Sequence, residues 1–196
     1  MDEFLTNVKL GYNHVLDFAG YDHILFLIVL AVIFSFNQWR KVLWLITFFT
    51  AGHTLTLLLA VFGVVNMNRE LIEFLIPVTI LITGAVNIFR SNNSSSGKEK
   101  INLFFALFFG LIHGFGFSNF LKATIGKGED KLIPTLEFAL GIELAQVVIV
   151  LVILIIGTLL QNFLRVTKRD WVVITSAIVI GITVPIIRDT FLELFP

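Results

Sequence analysis

Long apolar runs broken by short polar clusters dominate this chain. A membrane-crossing helix needs about 20 mostly apolar residues. Six runs approach or exceed that length: Tyr21 to Phe36, Val42 to Val65, Leu71 to Phe89, Ile101 to Leu121, Leu132 to Phe163 and Trp171 to Ile187. The first is extendable toward the N-terminus, and the fifth is long enough to tilt or to project from a bilayer. The breaks are polar: Asn37-Gln38-Trp39-Arg40-Lys41, Asn66-Met67-Asn68-Arg69-Glu70, Arg90 to Lys100, Gly126 to Lys131 and Arg165 to Asp170. Residues 91–100, rich in Asn, Ser and Gly, read as a flexible linker between the third and fourth spans. Ahead of the first run, Phe4, Leu5, Val8, Tyr12, Val15 and Leu16 fall near helical spacing. That segment is expected to be amphipathic and suited to the membrane surface. The pattern predicts an all-α polytopic membrane protein. Residues 1–196 form one domain of about six transmembrane helices, or seven if the N-terminal segment joins them.

Composition strengthens this picture. Hydrophobic residues make up 57% of the 196 positions and charged residues 14%, against about 25% charged in soluble domains. A water-soluble fold of this size cannot bury so much apolar surface, so lipid must act as part of the solvent. The 14 basic and 14 acidic residues balance, leaving no basic face for nucleic acid. Cysteine is absent, which removes disulfides and thiolate metal sites. Asp2 and Glu3 stand where a signal peptide would carry Lys or Arg, so the first run is expected to be an uncleaved anchor.

Charge also sets an expected orientation. One group of loops holds Arg40, Lys41, Arg90, Lys98, Lys100, Arg165, Lys168 and Arg169, with Glu99 and Asp170 the acidic residues among them. The opposite group holds Lys9, Arg69, Lys122, Lys127, Lys131 and Arg188, with most of the acidic residues. The positive-inside rule then puts the first group in the cytoplasm and both termini outside, in the cytoplasmic (inner) membrane.

Ionisable residues at membrane depth are expensive and usually face the bundle interior. All four histidines lie in or beside apolar runs. His14 is in the N-terminal segment, and His23 opens the first run beside Asp22. His53 lies within Thr50-Ala51-Gly52-His53-Thr54-Leu55-Thr56, and His113 within Gly110-Leu111-Ile112-His113-Gly114-Phe115-Gly116. The fifth run adds Glu137, Glu143 and Gln146. Counting residues from each loop places these groups between the midplane and the outer surface. Glu143 and Gln146 are three apart and share a helix face, as do Glu137 and Gly141, four apart. Gly52, Gly110, Gly114, Gly116 and Gly141 permit close helix approach beside them. Imidazoles with carboxylates and no thiol suit a borderline divalent metal such as Ni, Co, Zn or Fe. Asp22, next to His23, is not a chelating partner for it, and is expected to orient a His from another helix. Each of these residues also has a bland reading as a packing, capping or solvated group. The same holds for His14 and Asp17, as polar-face residues of a surface helix. The case for a site rests on shared depth. Phe48-Phe49 with His53 and Phe108-Phe109 with His113 match at an interval of 60 residues, in two helices of the same direction.

Four segments carry a family resemblance. Gly20-Tyr21-Asp22-His23-Ile24-Leu25 resembles the G-x-D-H-[IL]-L signature of the HupE/UreJ proteins, hydrogenase and urease accessory proteins of the membrane. Phe49-Thr50-Ala51-Gly52-His53-Thr54-Leu55-Thr56-Leu57, Phe109-Gly110-Leu111-Ile112-His113-Gly114-Phe115-Gly116-Phe117 and Phe138-Ala139-Leu140-Gly141-Ile142-Glu143-Leu144-Ala145-Gln146 are similar to later segments of that family, in the same order. The resemblance implies a nickel or cobalt permease, or a protein supplying nickel to a metalloenzyme maturation system. It implies Asp22, His23, His53, His113, Glu143 and Gln146 as the functional set. This chain departs at Ala139 and Ala145, where the family often has Asn and Gly. It departs again at His14, nine residues before His23, where the family often has a closer His.

Three functions follow as expectations. The first is a divalent-metal transporter or metal-delivery protein, with an outward-facing His and carboxylate site. The second is an intramembrane metalloenzyme in which Glu143 or Glu137 would be the base for a metal-activated water. The third is a structural or partner-binding membrane subunit. The cytoplasmic half is nearly all apolar, with Asn87, Thr83 and Thr47 its few polar groups, which weighs against simple transport.

Overall fold

A computed structural model describes residues 2–17, 20–90, 99–125 and 130–195. The elements in chain order are α1 (Asp2–Val15), α2 (Asp22–Ala31), a 3-10 turn (Phe36–Gln38), α3 (Trp39–Val61), α4 (Arg69–Arg90), α5 (Glu99–Ile125), α6 (Leu132–Phe163) and α7 (Lys168–Leu194). No strand occurs among the described residues. The polar breaks act as helix punctuation. Asn68 accepts a bond from the Leu71 amide at the start of α4, and Thr167 accepts one from the Asp170 amide at the start of α7. The chain turns after α3 at Gly63, which has a φ of 74°. The helices α3 to α7 are each long and apolar enough to cross a membrane. The chain is therefore a multi-pass membrane protein. Rings such as Phe89, Phe104 and Phe163 point outward into the apolar surroundings such a bundle requires. Residues 91–98 of the expected linker, and 126–129, lie outside the described residues; Glu99 and Lys100 already belong to α5.

The first span departs from expectation. It is not one helix from Tyr21 to Phe36, because α2 covers only Asp22 to Ala31. Nor does the N-terminal segment stand apart as a surface helix. α1 packs lengthwise on α6, with Gly11 against the Phe138 carbonyl and Gly141 against the Val8 carbonyl. Neither site has room for a Cβ, so two backbones touch where side chains would hold them apart. The contacts repeat those between α3 and α5. There Gly52 lies on the Leu107 carbonyl and Gly110 on the Phe49 carbonyl. Gly110 meets the Phe49 carbonyl and Gly114 the His53 carbonyl, an advance of four residues on both helices, so α3 and α5 are parallel. α1 and α6 share that contact pattern and an offset of 130 residues at both Gly11/Gly141 and Asn7/Glu137. Asn7 bonding Glu137 continues the α1/α6 register.

Direction then explains the break. α1 runs with α6. α2 runs with α4, since the His23 ring neighbours His113, which bonds Thr79, while Val29 further along α2 bonds Asn87 further along α4. α4 and α6 are separated by one crossing, so all four helices run the same way. α1 and α2 are thus two halves of one discontinuous span, 14 and 10 residues long, rising together about 36 Å at 1.5 Å per residue. Both chain termini fall at one end of the bundle. Asn87 Nδ2 donates to the Val29 carbonyl at 2.6 Å, near the end of α2, where carbonyls run out of helical donors.

Candidate metal centre

The break in the first span falls where the histidines meet. His14 is on the last turn of α1, and His23 is the second residue of α2. Their rings pack edge to face with centroids 4.7 Å apart. His53 arrives from α3, with its ring 5.7 Å from His23 and 6.0 Å from His14. One ligand atom from each of the three lies within 4.8 Å of the others. His113 on α5 is beside them, 5.5 Å from His23. His23, His53 and His113 are all buried. Gly52 and Gly110, which seat α3 on α5, precede His53 and His113 by one and three residues and so bring these two rings into one layer.

The hydrogen bonds are unbalanced in a way that points to a cation. Among the described residues, the Nε2 atoms of His14 and His23, both ring nitrogens of His53 and Nδ1 of His113 are buried with no hydrogen-bond partner. Each such atom costs about 1–3 kcal/mol. A metal ion accepting their lone pairs would remove that cost. Four imidazoles with no thiol fit a borderline divalent ion. Asp22 Oδ1 accepts from the His23 backbone amide at 2.9 Å and lies 3.1 Å from His23 Nδ1. A proton held on Nδ1 leaves Nε2 free as a donor atom. Asp22 therefore orients its own neighbour, and not a His of another helix as expected. It is the first residue of α2 and folds back over the exposed amide end.

The remaining expected residues have hydrogen-bond partners other than the imidazoles. Glu137 accepts from Asn7 Nδ2 at 2.8 Å. Glu143 is half-buried and accepts from the Thr47 hydroxyl. Gln146 Oε1 accepts from Thr50 Oγ1 at 2.9 Å. Glu143 and Gln146 do share one face, the face toward α3, and Glu137 and Gly141 share the face toward α1. His14, though not spaced as in the family, belongs to the close group.

Aromatic rings close the site on two sides. Phe26, Phe49 and Phe109 each lie one turn from His23, His53 and His113 toward the end of the bundle away from the termini. Phe26 stacks on Phe49 at 4.8 Å and meets Phe109 at 6.0 Å. This layer explains the 60-residue pattern, because Phe49 with His53 and Phe109 with His113 occupy equivalent turns of the parallel pair. On the other side Phe117 covers His14 at 3.7 Å and stacks on Phe138 at 5.2 Å. Thr79, which bonds His113, carried no motif. Its place in an apolar run gave no signal that would have found it.

A discontinuous span, close helix pairs and a buried group of imidazoles define a polytopic membrane protein of metal-related type. The model of the HupE / UreJ protein family matches residues 1–187, and the chain belongs to that family. No curated protein and no solved structure matches the chain.

Proposed function

We propose that this protein carries a divalent transition metal, of the nickel or cobalt type, from the outer side of the cytoplasmic membrane, as a transporter or as a delivery protein for a metalloenzyme maturation system. The observation that supports this best is the convergence of His14, His23 and His53 from three helices with buried, unpartnered nitrogens. His113 supplies a fourth imidazole and Asp22 sets the donor atom of His23. Neutral nitrogen ligands leave the ion's charge uncompensated except by Asp22, which suits a bound ion that must later leave. The family's association with hydrogenase and urease supports nickel as the cargo and a metalloenzyme as its destination.

The site sits between two aromatic layers, Phe117 with Phe138 and Phe26 with Phe49 and Phe109. That arrangement fits an occluded ion, with the layers opening in turn. Asn87, Thr83 and Thr47 on the far side are occupied by Val29, Thr79 and Glu143, so they form no relay while the layer is closed. The enzyme reading needs a carboxylate base at the metal, and Glu137 and Glu143 are engaged elsewhere.

Metal titration of the purified protein, followed by uptake into proteoliposomes, tests the proposal. Stoichiometric nickel or cobalt binding that is lost in His53→Ala, together with uptake, supports it. Absence of binding overturns it, and binding without uptake removes the transporter form.

A further inference from the structure

Thr79 lies at mid-length of α4, 3% exposed. Its Oγ1 is 2.7 Å from the Ile76 carbonyl oxygen and 3.1 Å from His113 Nε2. A carbonyl can only accept, so the single hydroxyl hydrogen of Thr79 goes to Ile76. The oxygen can then only accept from His113, which requires the proton on Nε2. A neutral imidazole has one N–H, so Nδ1 of His113 carries the lone pair. That atom is buried and has no hydrogen-bond partner among the described residues. The His113 ring stands 5.5 Å from the His23 ring.

We infer that Thr79 is a positioning residue. It holds His113 as the Nε2–H tautomer and so presents Nδ1 to the cation as a fourth ligand. The inference rests on the metal-binding reading above. It gives the site mixed ligation, because Asp22 fixes His23 the opposite way, with Nε2 as the donor. Thr83 steadies the same turn by donating to the Thr79 carbonyl at 2.8 Å. The methyl group of Thr79 is not needed for this role, and the hydroxyl is.

Two variants separate hydroxyl from shape: Thr79→Val keeps the volume and Thr79→Ser keeps the hydroxyl. The first measurement is the nitrogen-15 NMR spectrum of the metal-free protein, with the His113 ring assigned by its loss in His113→Gln. Wild type and Thr79→Ser are expected to show the Nε2–H tautomer, and Thr79→Val a mixture or the Nδ1–H form. An Nδ1–H ring in wild type overturns the inference whether or not Thr79→Val folds. The second measurement is nickel affinity, expected to fall about 10–100-fold in Thr79→Val, the range for residues that orient a ligand, and to hold in Thr79→Ser. Wild type that binds nickel with Thr79→Val unchanged overturns the role of Thr79 alone. Wild type that binds no nickel overturns the metal reading and this inference with it.

Discussion

His14 and His23 meet edge to face with ring centroids 4.7 Å apart, although one ends a helix and the other begins the next. The pairing depends on the break between α1 and α2, since a continuous helix would set residues nine apart more than two turns from each other. Half-helix ends at membrane depth recur where transporters hold ions. Replacing His14 by Ala removes one of the three close imidazoles. Nickel affinity is expected to fall by about 100-fold or more, beyond the roughly 10–100-fold scale for orienting residues, while the fold is expected to survive, since the Nε2 lost has no hydrogen-bond partner. Isothermal titration in detergent, with a thermal melt alongside, measures both. Unchanged affinity would remove His14 from the site.

In the proposed site Asp22 would act one step back from the ion. Its carboxylate bonds both the amide and the Nδ1 of His23. Asp22→Ala is expected to weaken metal binding by about 10–100-fold without changing the number of ions bound. Asp22→Asn should lie between wild type and Asp22→Ala, because its amide oxygen still accepts from Nδ1 but brings no charge. Equal affinities for the three proteins would show that His23 needs no orientation.

The glycines make a stability series. A Cβ at Gly11, Gly52, Gly110 or Gly141 would fall on a backbone carbonyl of the neighbouring helix, and backbones cannot yield as a side chain can. Ala at any of these sites is expected to cost about 1–3 kcal/mol or more, the range for overpacking. Gly181 has nothing within 4 Å of its would-be Cβ, so Gly181→Ala is expected to be neutral or stabilising by up to about 1 kcal/mol through helix propensity. Unfolding in mixed micelles ranks the variants. A destabilised Gly181→Ala with a stable Gly52→Ala would contradict the packing.

These glycines also mark what the sequence could and could not say. The five long helices were legible because each is an uninterrupted apolar run with a polar break, and membrane insertion reads little else. His23, His53 and His113 were legible because a buried imidazole in lipid stands out against its neighbours. The halves of the first span were not, since α1 is too polar to register as a span and Gly20, just before an apolar run, reads as an ordinary helix start. Glu143 was drawn toward the site by depth and by the family resemblance. Depth does not fix rotation, and the bond its carboxylate accepts from Thr47 on α3 could not be read from the sequence. Thr79 was passed over for the reverse reason: a threonine in an apolar run carries no signal until its hydrogen bonds are known.

Orientation is checked by a single cysteine. Ser95→Cys, in the sequence segment between α4 and α5, is expected to react with a membrane-impermeant maleimide only after the cells are opened, as the positive-inside rule requires. The absence of native cysteine makes the background clean. Labelling from outside would invert the bundle and turn an uptake site into an export site.

On the transport reading, the aromatic floor would decide whether the ion passes through. Phe26 and Phe49 stack at 4.8 Å and both are fully buried beneath the histidines. A floor that opens during transport forms the barrier on that side, so thinning it should change the rate of passage more than the affinity. Phe49→Ala is expected to leave nickel binding within a few-fold, since no ring nitrogen is lost, while costing about 3–5 kcal/mol of stability. In proteoliposomes it should speed downhill nickel movement and let trapped nickel leak when wild type does not. A variant that binds nickel, stays folded and shows no change in flux would mean that the ion does not cross at this layer. The protein would then hold its metal from one side only, which is the behaviour of a delivery protein.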